Sequence, residues 1–271
     1  MEAPRPRDHQ RSGDSAEYAV VTGAASGIGR AVAQRLAARG AQLGLVDIDS
    51  QKLAGALAEL NKVTPGSQAF EVSVTDSRRL REAMEEFAGR RGRIDTVVSC
   101  AGILRMGTVT DMPEADWKEV LEVNLTGTFL AAKHAMSWLM RRGGAFVAIS
   151  SDAGTCGASG YSAYCASKHG VLGLVKCLAL DYGPYGVRSN AICPSFVETP
   201  MADVAFAGTN AEERRYYKGL VPLGRFAQPE EIAAIAAHLS SRESSYVNGA
   251  AYAVDGGATA GYFSASVGSN A

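Results

Sequence analysis

At 271 residues and 28.3 kDa, with 46% of residues hydrophobic, the chain is long enough for one large α/β domain or two small ones. Its net charge of −1 excludes the electrostatic footprint of a nucleic-acid or anionic-membrane binder, and no apolar run approaches the ~20 residues that cross a bilayer. Cys100, Cys156, Cys165, Cys177 and Cys193 form no C-x-x-C pair, so they read as buried reduced thiols of a cytoplasmic protein, not as a disulfide framework.

Residues 1–16 are polar, rich in Pro and Arg, and lack the apolar stretch of a secretory signal. They read as a disordered segment ahead of one catalytic domain spanning 17–271. From there short apolar runs alternate with helical periodicity. Strand YAVVT (18–22) leads to a helix at 27–39, QLGLVD (42–47) to one at 51–61, and SQAFEV (67–72) to one at 77–90. DTVVS (95–99) precedes a long, interrupted helical stretch at 114–140, and GAFVAIS (144–150) precedes a helix at 162–182. VRSNAIC (187–193) is followed by an irregular section at 198–220, a helix at 229–240 and a last strand, AAYAVD (250–255). Continuous apolar strands separated by helices predict a doubly wound parallel sheet of about seven strands, with helices on both faces. The 198–220 section leaves the carboxyl end of a strand, where such sheets bind ligands, and reads as a substrate lid.

The first strand runs into TGAASGIG, Thr22–Gly29. A glycine-rich turn that opens a helix offers backbone N–H groups and the positive end of the helix dipole to a pyrophosphate. Gly23, Ser26, Gly27, Ile28 and Gly29 are therefore candidate cofactor residues. Asp47 ends the second strand twenty residues after Gly27, with Ile48 next to it, placed to accept from ribose hydroxyls. A 2′-phosphate there would meet Asp47 and Asp49, and no Arg or Lys stands at Ser26 or within Ile48–Gln51. NAD is favoured over NADP.

YSAYCASK (161–168) puts Tyr161, Tyr164 and Lys168 on one helical face. Lys168 is one turn, ~6 Å, from Tyr164 but ~10 Å from Tyr161. Tyr164 is the candidate acid/base and Tyr161 a candidate pocket wall. An ammonium one turn away favours the phenolate, which predicts a lowered phenol pKa.

TGAASGIG together with Tyr164-x-x-x-Lys168 resembles the short-chain dehydrogenase/reductase family, over about Tyr18–Gly257. ISS (149–151), EVNLTG around Asn124, CPSFVETPM (193–201) and VNGAAYAVDGG (247–257) match further family motifs in order. The resemblance implies a Rossmann-type sheet and hydride transfer between an alcohol and a nicotinamide cofactor. It implies that Tyr164 exchanges the proton, Lys168 also binds the nicotinamide ribose, Ser151 holds the substrate oxygen, and Asn124 holds a water linking Lys168 to solvent. It also implies cofactor contacts from Ser73, Val74, Ala101, Gly102, Pro194, Val197 and Thr199. Two departures stand out: Ser99-Cys100 replaces the usual Asn-Asn, and Pro194-Ser195 replaces Pro-Gly.

Leu104, Asp152, Cys156, Tyr161, Phe196 and Met201, with Arg105 beside them, are the candidate substrate pocket. Such a lining suits a secondary alcohol or ketone of modest polarity: a cyclic alcohol, a polyol or sugar derivative. The alternative is a 3-oxoacyl-(acyl-carrier-protein) reductase-like ketoreductase, and a non-catalytic NAD sensor ranks below both. His134, His169 and His238 lack ligand spacing, so no metal is expected. The resemblance further implies a homotetramer built on helices 114–140 and 162–182. The tail after Gly257 is placed over a neighbour's pocket.

Overall fold

The computed structural model describes residues 17–89 and 92–263; the segment 1–16, expected to be disordered, lies outside the described residues. Seven strands form one parallel sheet: β1 (Tyr18–Thr22), β2 (Gln42–Asp47), β3 (Gln68–Glu71), β4 (Thr96–Ser99), β5 (Ala145–Ile149), β6 (Arg188–Pro194) and β7 (Ala251–Val254). Their spatial order is β3-β2-β1-β4-β5-β6-β7. The order reverses between β1 and β4, so the chain leaves these neighbours toward opposite faces and a crevice opens at their carboxyl ends.

Nine helices follow in chain order among the described residues: α1 (Gly27–Ala37), α2 (Ser50–Leu60), α3 (Ser77–Ala88), α4 (Glu114–Leu121), α5 (Gly127–Leu139), α6 (Ser162–Tyr182), α7 (Pro200–Ala205), α8 (Ala211–Gly219) and α9 (Pro229–Ser240). Strand side chains alternate between two cores, as a period of two demands. Ala19, Val21, Val147 and Ile149 pack with α1, α2 and α9; Val20, Phe146 and Ala148 pack with α3, α5 and α6. Both faces are thus apolar, which is why the strands read as unbroken hydrophobic runs. Aspartates start two helices: Asp49 accepts from the Lys52 N–H at 3.0 Å, and Asp76 from the Arg79 N–H at 2.9 Å.

One expectation is sharpened and two are revised. The break in 114–140 is a single π turn, Glu122–Thr126, between α4 and α5. The 198–220 section is not irregular. It forms α7 and α8 around Phe196, Phe206, Tyr217 and Phe226, with Asn210 and Glu213 closing a capping box. The thiols are not all buried: Cys193 is, Cys100 and Cys165 are half-buried, and Cys156 and Cys177 are exposed. Cys177 lies off the stripe of α6 that carries Val171, Val175 and Leu178 into the core, so its apolar neighbours in sequence are not its neighbours in space.

Candidate active site

The glycine turn joins β1 to α1 at the crevice. A Cβ on Gly29 would lie 2.0 Å from the Gly23 carbonyl oxygen, and one on Gly23, whose φ is +66°, would lie 2.8 Å from the Ala101 nitrogen. Only bare backbone fits between the turn and the end of β4. Thr22, fully buried, accepts from the N–H groups of Cys100 at 3.2 Å and Ala101 at 3.3 Å. That hydroxyl ties the two loops where Ser99-Cys100 lacks amide side chains. Its importance was not legible from position alone, although it is the first residue of the glycine motif. Ser26 precedes α1 in extended conformation and makes no side-chain cap bond, which leaves the helix's amino end available to an anion.

Asp47 accepts from the N–H groups of Ala25 at 2.9 Å and Asp49 at 3.1 Å, so it also braces the turn. Ile48 beside it is 71% exposed. The nearby cations are engaged, Lys52 with Asp49 at 2.8 Å and Arg30 with Glu59 at 2.6 Å. Ser73 shares a hydrogen bond with Thr75, and Val74 is buried against Gly127, where a Cβ would meet it at 2.6 Å. Across the crevice, Thr199 covers Gly27: its methyl carbon is 3.2 Å from where a Gly27 Cβ would stand. Val197 forms a bridge with Ala227, and the Ser195 hydroxyl donates to the Asp255 carbonyl at 3.2 Å. Ser195 therefore anchors the turn after Pro194 to the end of β7. Anion-ready turn, strand-end acid and overlying loop together fit a dinucleotide.

β5 delivers Ser151 to the same crevice, and α6 delivers Tyr164 and Lys168. Ser151 is buried; its hydroxyl donates to Asp152 Oδ1 at 2.7 Å and accepts from the Ala153 N–H at 3.1 Å. Lys168 is 3% exposed, donates from Nζ to the Ile149 carbonyl at 2.8 Å, and stands 5.5 Å from the centre of the Tyr164 ring. Burial pulls the Lys168 ammonium down to about 8. Without a bound cofactor the Tyr164 phenol shifts the other way. Burial pushes it well above the ordinary range, and the hydrogen bond from Ser151 offsets only part of that. Desolvating a phenolate outweighs a lysine that is itself desolvated and committed to a carbonyl.

Asn124, wholly buried in the π turn, accepts from the Ile103 N–H at 2.8 Å and donates to the Ile103 carbonyl at 3.0 Å and to Ser167 at 3.1 Å. Both of its N–H groups go to protein partners, so its side chain clamps the Gly102–Ile103 backbone. A Cβ on Gly102 would lie 3.2 Å from Asn124 Oδ1 and 3.6 Å from Lys168 Nζ, which shows how close these groups stand.

A cavity of about 330 Å³ lies beside the Ser151–Tyr164 pair. Leu104, Asp152, Cys156, Tyr161, Phe196 and Met201 all line it, whereas Arg105 does not and instead pairs with Glu119 at 3.0 Å. Tyr161 meets Tyr164 edge-on, ring centres 6.4 Å apart, and its backbone bridges to Gly107. Ala258 and Thr259 also line the cavity. The start of the tail therefore lines this chain's own pocket, while its end, expected over a neighbour's, lies outside the described residues. Asp255 fixes it by accepting from the Gly257 and Thr259 N–H groups and the Thr259 hydroxyl. A wider open cleft, about 1180 Å³, runs along the amino ends of the strands and carries none of the candidate site residues. Among the described residues no cluster of His, Cys, Asp or Glu is arranged to hold a metal ion.

Known proteins share this arrangement. The family model described as "Enoyl-(Acyl carrier protein) reductase" matches residues 23–259. D-threitol dehydrogenase of Mycolicibacterium smegmatis is 38% identical, covering 90% of this chain and 93% of that one. Meso-2,3-butanediol dehydrogenase of Serratia marcescens is 37% identical, covering 89% and 94%. The crystal structure of levodione reductase superimposes with a TM-score of 0.86 at 34% identity, over 91% of this chain and 98% of that one. With its seven-stranded parallel sheet, glycine turn and Ser151–Tyr164–Lys168 site, the chain belongs to the short-chain dehydrogenase/reductase family of oxidoreductases.

Proposed function

We propose that the protein is an NAD-dependent dehydrogenase that interconverts uncharged secondary alcohols and their ketones. The observation that carries this is the gathering of Ser151 and Tyr164 on the wall of a largely apolar cavity beside the glycine turn, with Lys168 buried behind the Tyr164 ring. A nicotinamide dinucleotide held by the residues below would supply the hydride acceptor and, oxidised, a positive charge near the phenol. Tyr164 takes the hydroxyl proton as the C–H bond breaks toward the cofactor, leaving the ketone, and returns it in the reverse direction. Ser151 holds the reacting oxygen at Tyr164. Lys168 supplies positive charge beneath the phenol and a donor toward the nicotinamide ribose. Asn124 acts as a positioning residue through the Gly102–Ile103 backbone. Gly23, Ser26, Gly27, Ile28 and Gly29 take the pyrophosphate. Ile48, Ser73 and Val74 flank the adenosine half, and Ala101, Gly102, Pro194, Val197 and Thr199 enclose the nicotinamide half.

Asp47 supports NAD. Its carboxylate and that of Asp49 oppose a 2′-phosphate, and the nearest lysine is already paired. Asp47→Ala weakens NAD and moves the NAD/NADP preference toward NADP by roughly 10–100-fold, as expected from losing charge-assisted bonds of about 1.5–3 kcal/mol. Fluorescence titration with both cofactors measures this, and an unchanged ratio contradicts the assignment. The function itself is tested by following NADH formation with cyclic alcohols, polyols and 3-hydroxyacyl thioesters. Tight NAD binding without turnover of any of them supports a sensor instead. NADPH-dependent reduction of 3-oxoacyl thioesters alone supports the acyl-carrier reading.

Residues 17–271 are proposed to work as one catalytic domain with 198–220 as its lid. A homotetramer in the cytoplasm completes the reading. Its support is an exposed edge strand, β7, with Tyr252 40% exposed, and apolar Phe129 and Leu180 at 44% and 78% on α5 and α6. Light scattering at the mass of one chain would remove the assembly. Among the described residues no helix is long and apolar enough to cross a membrane.

A further inference from the structure

Asp152 lines the substrate cavity, and its surroundings are unusual for an acid. Oδ1 takes the Ser151 hydroxyl at 2.7 Å and the Ala153 N–H at 2.7 Å. Oδ2 has no hydrogen-bond partner among the described residues. The rest of the lining is mostly apolar or hydroxylic, including Leu104, Met201 and Phe196 and the hydroxyl-bearing Tyr161, Tyr164 and Thr259. None of the residues that line the cavity is Lys, Arg or His. Burial pushes the Asp152 carboxyl upward, and the one charge that bears on it, Asp255, is also negative. Oδ2 is not sealed from solvent, and a ligand hydroxyl that displaces water from it would meet an acceptor with no protein donor in place. The ligand is left to provide it.

We propose that Asp152 is a specificity-determining residue that accepts a hydrogen bond from a second hydroxyl of the substrate, on the carbon next to the carbinol. The substrate class is then the uncharged vicinal diol. This rests on the dehydrogenase reading above and deepens it. The neighbouring-carbon placement follows from distance. Asp152 sits one residue and one hydrogen bond from Ser151, so oxygens held by these two side chains belong to adjacent carbons. The same geometry acts against anions. A carboxylate or phosphate near the reacting carbon would face Asp152 with no cation lining the cavity to offset the repulsion.

Three substrates of matched size test this: butane-2,3-diol, butan-2-ol and 3-hydroxybutanoate, each assayed for kcat/KM with NAD. The wild type favours the diol over the mono-alcohol by roughly 10–100-fold, the range for a hydrogen bond to a charged group, and disfavours the anion. In Asp152→Asn the Ala153 N–H retains its acceptor while a neutral amide replaces the charge. Whatever that change does to turnover at large, the diol/mono-alcohol ratio falls about 10-fold and the anion/mono-alcohol ratio rises. Asp152→Ser, which also keeps a cap for Ala153, moves both ratios the same way should the amide variant fold poorly. If Asp152 acted only by orienting Ser151, all three substrates would fall together and both ratios would stay fixed, which overturns the proposal. A wild type that oxidises the anion as well as the diol overturns it too. Turnover confined to cyclic mono-alcohols rejects the diol assignment and leaves the dehydrogenase standing; absence of turnover with every alcohol removes both.

Discussion

Tyr164→Phe lowers kcat/KM for alcohol oxidation by roughly 10³–10⁴-fold, about 4–5.5 kcal/mol of transition-state stabilisation, while NAD affinity changes by less than about 3-fold. The phenol oxygen is the only part removed, and the ring remains to pack in α6. Folding stability shifts by about 1 kcal/mol or less, because only a half-buried hydroxyl is lost. The pH profile carries more information than the loss. Without the cofactor's charge, burial holds the Tyr164 phenol above its ordinary range, so the proton-accepting form grows with rising pH. Oxidation by the wild type therefore speeds up with increasing pH, and ketone reduction, which needs the protonated phenol, slows. Tyr161→Phe keeps both slopes, since Tyr161 bears on the pocket and not on the proton. Near-normal activity in Tyr164→Phe, or loss of the slopes in Tyr161→Phe, would exchange the two tyrosines' roles.

Much of this site was readable because its constraints are steric and local. Gly29 must lack a side chain to pass the Gly23 carbonyl, and that requirement shows in the one-letter string. Tyr164 and Lys168 lie one turn apart on any helix. The unbroken apolar strands likewise announce a sheet covered on both faces. What escaped depends on partners distant in sequence. The π turn at Glu122–Thr126 brings Asn124 against Ile103 and sets Gly127 against Val74, contacts no helical periodicity encodes. Thr22 matters through two N–H groups nearly eighty residues away. Thr259 reaches the pocket only because Asp255 folds the tail back. The upward push on the Tyr164 phenol in the cofactor-free chain escaped for the same reason. Spacing reveals that a lysine is near, but not that both groups are buried and that the ammonium is spent on the Ile149 carbonyl.

Lys168→Met makes the enzyme nearly inactive, with a loss of roughly 10²-fold or more from the removed charge and ribose donor, and at neutral pH it makes the cofactor-free protein more stable. The Lys168 value falls from the ordinary 10.5 to about 8 because the folded state desolvates the ammonium. That gap corresponds to roughly 3 kcal/mol. Below pH 8 lysine is charged in both states and the folded protein carries the whole penalty. Between pH 8 and 10.5 the native state releases its proton while the unfolded chain still holds one, so wild-type stability from this group rises with pH. Methionine has no such dependence, but it leaves the Ile149 carbonyl without its donor, at a cost of about 1–3 kcal/mol. The two terms predict a crossing: the variant unfolds a few degrees above the wild type at pH 7 and below it at pH 10. Thermal scans without cofactor at the two pH values read this directly. A variant less stable at both would mean that the site holds the ammonium without strain. With the crossing, Lys168 is a cation retained against folding stability, which is the pattern of a group kept for its chemistry.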